Sequence, residues 1–115
     1  MRFARSREAA IAVAYKSNEL RASIYLALAL SRSGDVRAAL NMLRDARNTA
    51  RQQGFNGLEA EALLCEAMVT PATTESGKAT IIRCLQASIA IAAENEARPL
   101  LLKAEALLAG AFADR

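Results

Sequence analysis

The sequence contains no histidine and no tryptophan, and two of its 115 residues are cysteine. Without histidine, the chain cannot form a Ser-His-Asp triad, a Cys-His pair or a histidine-ligated zinc site. The cysteines, Cys65 and Cys84, lack the CxxC spacing of a redox or zinc motif. We therefore expect a protein that is not an enzyme and that has no metal or other cofactor.

Aromatic residues make up 4% of the chain, which has five glycines and two prolines. Strands are usually rich in aromatic and β-branched residues, whereas alanine is the commonest residue here. Small side chains let helices approach one another closely. The composition predicts an all-α fold with few turns.

The chain also lacks a signal peptide and any apolar run of about 18 residues. Its net charge of +3 is too small to indicate nucleic-acid binding by itself. Because the two thiols show no disulfide pattern, we expect a cytoplasmic protein. The missing apolar run and the small net charge predict no direct contact with a membrane or with nucleic acid.

The stretch from Leu20 to Gly54 carries the clearest helical pattern. Apolar residues at helical spacing predict a first helix, and a second apolar stripe predicts another that runs to about Gln53. Between them, Gly34 suits a left-handed helix end and Asp35 suits an N-cap. The stretch is therefore predicted to form a helical hairpin.

The same pattern returns later in the chain, which predicts two repeats over residues 20–57 and 58–96. A hairpin of this kind needs similar neighbours to bury its apolar faces. The superposed pairs are Leu20 with Leu58, Leu26 with Leu64, Ala27 with Cys65, Asp35 with Ser76, Leu43 with Cys84 and Ala46 with Ala87.

Two further helices are predicted beside the repeats. Residues 3–17 carry an apolar stripe, and Ser17 and Asn18 then predict a break. Residues 98–113 form the other helix, in which Pro99 is tolerated near the start. We expect a single domain of residues 1–115 with about six helices, a fragment of a larger protein. The uncovered end helices predict a homodimer.

The first hairpin resembles the tetratricopeptide repeat (TPR), whose period is 34 residues. The matching positions are Leu26, Ala27, Leu30, Gly34, Asp35, Ala39, Leu43 and Ala46. The second copy lacks the Gly-Asp turn, and neither copy has the family's closing proline. The resemblance implies antiparallel hairpins that stack into a TPR-like right-handed solenoid.

The longer, alanine-rich repeats look similar to the TPR-like domain of the large ATP-dependent LuxR-family regulators of the MalT type. This resemblance covers roughly residues 20–102. It includes the segments from Arg51 to Gly54 and from Glu94 to Leu101. It implies a segment that lies between a nucleotide-binding module and a helix-turn-helix. The chain itself contains neither a P-loop nor a recognition helix.

The resemblance predicts a ligand- or protein-binding segment of a bacterial LuxR/MalT-type transcriptional regulator. The alternative is a generic TPR adaptor that mediates protein–protein interaction and has no DNA-linked parent. In both cases the expected occupant is a partner protein, a peptide or a small inducer.

By the TPR resemblance, the first helix of each hairpin lines a concave surface, and its outward residues are predicted to bind the partner. They are Arg21, Leu28, Arg32, Glu59, Glu66 and Thr70. Arg21 and Glu59 could instead pair with each other, which is the favoured interpretation. Leu28 would offer an apolar contact in the groove.

Arg37, Arg44 and Arg51 form a basic stripe with two helical turns between successive members, and Arg47 lies beside them. We favour a solvated face tempered by Asp45. The alternative is a surface for phosphate groups or an acidic partner. Aromatic side chains do not interleave the stripe, which disfavours single-stranded nucleic acid.

Cys65 and Cys84 fall on packing positions of the second hairpin. Buried cysteine behaves as a small hydrophobic residue, so packing is favoured over a redox pair.

Overall fold

A computed structural model describes residues 2–95 and 98–113, with side chains over residues 8–95 and 98–111. Every regular element in those ranges is a helix, which confirms the predicted all-α fold. The helices are α1 (Arg2–Arg32), α2 (Val36–Gln53), α3 (Asn56–Val69), α4 (Glu75–Glu94) and α5 (Arg98–Ala113). The described ranges thus contain five helices, fewer than predicted.

α1 is one continuous helix of 31 residues, so the predicted break at Ser17 and Asn18 is wrong. Serine and asparagine interrupt a helix only when their side chains compete successfully with its backbone. The Ser17 hydroxyl instead donates to the carbonyl oxygen of Ala14 in the same helix, at 3.1 Å. The helix predicted over residues 3–17 and the first helix of the first repeat are therefore a single element.

The turn between α1 and α2 has the predicted caps. Gly34 has a φ of 99°, which suits a residue without a Cβ. The Asp35 side chain accepts a hydrogen bond from the Ala38 amide at 3.3 Å and so caps α2. The predictions for Gly34 and Asp35 are therefore confirmed. α2 ends at Gln53, as predicted, and Gly54 follows it in the left-handed region with a φ of 76°.

α4 begins earlier than the superposition of Asp35 on Ser76 predicts. Its N-cap is Thr74, whose hydroxyl oxygen accepts a hydrogen bond from the Gly77 amide at 3.0 Å. Pro99 lies in the first turn of α5, as predicted. The capping residue of α4 is therefore Thr74 in the preceding loop. Ser76, the predicted cap, lies inside the helix.

Each helix packs against the next, and α3 also packs against both α1 and α5. The buried residues form two clusters that share α3: one among α1, α2 and α3, the other among α3, α4 and α5. Ile24 and Leu43 are central to the first cluster and Leu85 to the second, and each is at most 1% exposed. α3 is therefore the central helix of the described fold.

Small residues lie where the helices are closest. Ala27, Ala39, Ala60 and Ala104 have no exposed surface. Ser88 on α4 is also fully buried, and its hydroxyl donates to the Ala60 carbonyl oxygen on α3 at 2.8 Å. The role expected of alanine in close helix packing is thus met in both clusters.

The second hairpin does not follow the first in the predicted register. Leu26 is 54% exposed, whereas its predicted counterpart Leu64 is 2% exposed. The residues with matching positions in the two clusters form different pairs. By the spacing of their buried residues alone, these pairs are Ile24 with Leu64, Ala27 with Ala67, Leu43 with Leu85, Ala46 with Ser88 and Ala50 with Ala92.

The error arises because α3 is apolar on two faces. Leu58, Ala62 and Cys65 pack back against α1 and α2, while Leu64 and Ala67 pack forward against α4 and α5. Superposing Leu20 on Leu58 therefore matched a forward face with a backward one. A helix that is packed on both sides has two apolar stripes, and a comparison of sequences alone does not distinguish them.

Candidate functional site

A groove lies between α2 and α4, with α3 as its floor. Its volume is about 430 Å³, within the range of about 300–1,000 Å³ typical of ligand sites. The lining residues are Arg47, Asn48 and Arg51 from α2, Asn56, Glu59 and Leu63 from α3, and Ala87, Ala90, Ile91 and Glu94 from α4. We call it the α2–α4 groove.

The groove follows from helical spacing on three helices. Arg47 and Arg51 are one turn apart on α2, beside the face that buries Ala46 and Ala50. On α3, Leu63 lies one turn after Glu59 and provides a buried apolar floor. α2 thus lines the groove with polar residues, whereas α4 contributes mainly apolar ones and Glu94.

A pair of asparagines joins the helices at one end of the groove. The Asn56 side-chain amide at the start of α3 donates to Asn95 Oδ1 at the end of α4, at 3.3 Å. The Asn95 amide nitrogen in turn donates to the Ile91 carbonyl oxygen at 2.8 Å. Because Asn56 and Ile91 both line the groove, these bonds hold its end in place.

The groove has walls of opposite charge. Arg47 and Arg51 make the α2 wall positive, while Glu59 on α3 and Glu94 on α4 make the opposite side negative. Within this set of four described side chains, no nitrogen-to-oxygen distance falls within the 4.0 Å of an ion pair. The charges across the groove therefore do not neutralise one another by direct contact.

Glu66 lies buried beside the basic stripe. Only 4% of its side chain is exposed, and its Oε2 lies 3.1 Å from Arg47 Nε while its Oε1 lies 3.7 Å from Arg44 Nε. The Arg47 contact is short enough for an ion pair, but its angle does not make a hydrogen bond. Burial raises the pKa of Glu66, and Arg47 and Arg44 only partly oppose that shift.

The predicted partner-binding residues do not share one surface. On α1, Arg21 and Arg32 are exposed, whereas Leu28 is half-buried against the first core cluster. Leu28 is therefore not the open apolar contact that was predicted. No ion pair within 4.0 Å joins Arg21 to Glu59 among the described side chains, so their predicted pairing is not found.

The α3 members of that set face α2 and α4. Glu59 lines the α2–α4 groove, and Glu66 is buried rather than outward. The Thr70 hydroxyl is half-buried and donates to the Glu66 carbonyl oxygen at 2.6 Å. The outward position predicted for Glu66 is wrong because α2 lies over that side of α3.

The basic stripe has three different environments. Arg37 is exposed, Arg44 pairs with Glu66, and Arg51 lines the α2–α4 groove. Asp45 does not temper the stripe, since it lies in a hollow between α1 and α2 together with Lys16. All three arginines are nevertheless exposed, in agreement with the favoured interpretation of a solvated face, and the carboxylate beside them is Glu66.

The two cysteines belong to different core clusters. Cys65 packs among α1, α2 and α3, and Cys84 packs among α3, α4 and α5. Burial raises the pKa of Cys65 to about 11, with Glu61 adding to the shift. Burial also raises the pKa of Cys84, and Glu66 adds to it. Both side chains therefore remain protonated thiols at neutral pH, the less nucleophilic form.

Comparison with known proteins gives no family for the chain. No protein-family model matches it, and neither the curated proteins nor the solved structures contain a match. The likeness to TPR and MalT-type segments therefore depends on the residues quoted for it.

The described ranges contain neither a metal-binding cluster nor a membrane-spanning helix. No group of three or more histidine, cysteine, aspartate or glutamate side chains is placed to hold a metal ion there. Among the helices described, none is both long and apolar enough to cross a membrane.

Sequence reasoning missed Asn48, Asn56, Ile91 and Glu94, which line the groove. One signal was available, because Glu66 is a charged residue within the mostly apolar helix α3. A carboxylate in such a position predicts a buried charge with a cationic partner. It would have directed attention to the side of α3 that faces Arg44 and Arg47.

Proposed function

We propose that the chain is a ligand- or protein-binding helical-repeat segment of a bacterial LuxR/MalT-type transcriptional regulator. The observation that carries the proposal is the α2–α4 groove, whose charged walls are open and not paired across it. A surface of this kind suits recognition of a partner. The predicted concave set is a weaker candidate, because its members are divided between separate surfaces.

We propose that the helices form a TPR-like right-handed solenoid. The packing of α3 against both α1 and α5 supports this, since repeat proteins bury each hairpin against the next. In this arrangement α1, α3 and α5 form one layer, and α2 and α4 form the other.

We propose that the segment is not an enzyme. The groove offers arginine, glutamate and asparagine side chains, but among its described lining residues there is no serine, threonine or cysteine to act as a nucleophile. The two thiols lie in the core and remain protonated. Their unpaired state supports a cytoplasmic location, because reducing compartments keep thiols free.

A generic TPR adaptor for protein–protein interaction is the second candidate. The mixed charge of the groove favours it, because a surface with both signs suits a polypeptide and requires no DNA-linked parent.

Reading the parent gene on both sides of this segment distinguishes the two functions. The regulator requires a P-loop module before the segment and a helix-turn-helix after it. Their absence would overturn the regulator proposal in favour of the adaptor.

A further inference from the structure

We propose that the α2–α4 groove binds an extended peptide segment in which an acidic and a basic side chain flank an apolar one. The inference deepens the proposed binding function and rests on it. It names the class of occupant and which wall each part contacts. The acidic side chain would face Arg47 and Arg51, and the basic one would face Glu59 and Glu94.

Charge complementarity is the first argument. A wholly acidic ligand would meet repulsion from Glu59 and Glu94, and a wholly basic one would meet repulsion from the two arginines. A neutral apolar ligand would desolvate Arg51, Glu59 and Glu94 without offering them a partner. A ligand with both signs satisfies both walls.

The separation of the walls is the second argument. α2 and α4 each pack against α3 but not against each other over the described residues. Packed helix axes lie about 8–10 Å apart, so two helices on either side of a third are separated by more than that. The α-amino and α-carboxylate groups of a free amino acid are attached to the same Cα. Two side chains of an extended peptide carry their charges farther apart, which suits walls on separate helices.

The floor of the groove is the third argument. Leu63 on α3 and Ala87 and Ile91 on α4 also line the groove and offer an apolar base beside its charged groups. An apolar side chain between the two charged ones would contact this base and exclude water from it. The groove therefore favours an apolar central residue in the peptide as well as the two charged flanking residues.

Arg47 already has an acidic partner inside the protein. Its buried Nε lies 3.1 Å from the Glu66 Oε2, an ion pair without hydrogen-bond geometry. Arg51 has no such internal partner among the described acidic groups.

An array of immobilised pentapeptides tests the proposal with the purified chain. Each peptide has leucine at the centre, and its two ends are both acidic, both basic, both glutamine or one of each charge. We expect the strongest binding to the mixed-charge peptides, by about fivefold or more over the others. Equal binding to all four classes, or no binding to any, would overturn the proposal.

Single charge reversals locate the binding in the groove. Arg51→Glu should shift the preference to doubly basic peptides, and Glu94→Arg should shift it to doubly acidic ones. The double variant should restore the mixed preference. Arg37→Glu makes the same charge change on an exposed part of α2 outside the groove, so its preference should stay mixed.

Several outcomes count against the inference. A shift with Arg37→Glu as large as with Arg51→Glu would show a response to net charge and not to the groove. Binding of doubly acidic peptides alone by the unmodified chain would indicate an anion-binding surface instead. Circular dichroism confirms that each variant is folded. The gene reading is independent of the array, so a failed array leaves the regulator proposal in place while removing this one.

Discussion

Glu66 is held where burial and charge oppose each other. Burial disfavours its ionised form more than Arg47 and Arg44 favour it, so the pKa of Glu66 lies above the ordinary value of 4.5. In that situation the folded protein binds the proton more tightly than the unfolded chain does. Protonation of Glu66 therefore stabilises the folded state. This stabilisation is fully present below pH 4.5 and is lost as the pH rises through the folded-state pKa of Glu66.

The Glu66→Gln variant tests this effect. Above the folded-state pKa, the variant should be as stable as the unmodified chain or more stable, by up to about 1 kcal/mol, because a buried charge is removed. Arg44 and Arg47 remain partly exposed and can turn to solvent. Urea unfolding from acid to neutral pH measures the difference.

The advantage of Glu66→Gln should disappear in acid, where Glu66 is itself neutral. Glu105→Gln, an exposed change on α5, serves as the control and should leave the pH profile unchanged. A Glu66→Gln variant that is much less stable at neutral pH would show that the ion pairs outweigh burial.

Ser88 gives a second prediction at the scale of one residue. Its hydroxyl donates to the Ala60 carbonyl oxygen at 2.8 Å in a fully buried contact between α4 and α3. Ser88→Ala should lower the free energy of unfolding by about 1 kcal/mol. Ser23→Ala removes a hydroxyl that bonds only within α1 and should have little effect. Chemical denaturation of both variants compares them, and equal losses would contradict the interhelix role.

Single helices show where local sequence rules suffice. Asp35 caps α2 and Gly54 ends it in the left-handed region, as their residue types predict. The same rules failed at Ser17 and Asn18, because residues that tolerate a break do not require one. At Gly34 and Gly54 a positive φ accompanies the helix end, whereas the polar side chains of Ser17 and Asn18 lie within a continuous helix.

Substitutions at Gly54 and Gly57 distinguish the effect of backbone strain from the effect of side-chain crowding. An added Cβ meets nothing within 4 Å at either Gly54 or Gly57. Gly54→Ala should nevertheless cost about 1 kcal/mol, since its φ of 76° is unfavourable for alanine. Gly57→Ala, within α3, should instead stabilise the fold by about 0.5–1 kcal/mol. Thermal unfolding of the pair measures both, and a shift of the same sign would refute the explanation.

At the scale of the whole molecule, α1 carries a continuous exposed apolar segment among the described side chains. The seven residues from Ala9 to Tyr15 are all apolar and exposed, including Ile11 at 62% and Tyr15 at 72%. A helix that is apolar on every side is normally buried. We call this segment the α1 arm, and we expect the chain to self-associate through it, in keeping with the homodimer predicted from the terminal helices.

Sedimentation velocity over a range of concentrations tests the role of the α1 arm. Replacing Ile11 and Val13 together with glutamate should raise the dissociation constant by at least about tenfold, since charges would enter an apolar contact. Leu102→Glu, at an exposed site on α5, should have little effect if α1 alone mediates association. A monomer at every concentration of the unmodified chain would rule out self-association.

The sequence by itself determined the helical class and the caps at Gly34 and Asp35 between α1 and α2. Each of these depends on neighbours within about one helical turn, so the amino-acid order is sufficient. Only the tertiary structure decided which apolar face of α3 packs forward, and hence that Ile24 corresponds to Leu64. It also decided that Glu66 is buried and that a groove separates α2 from α4, because these depend on which helices lie on either side of α3.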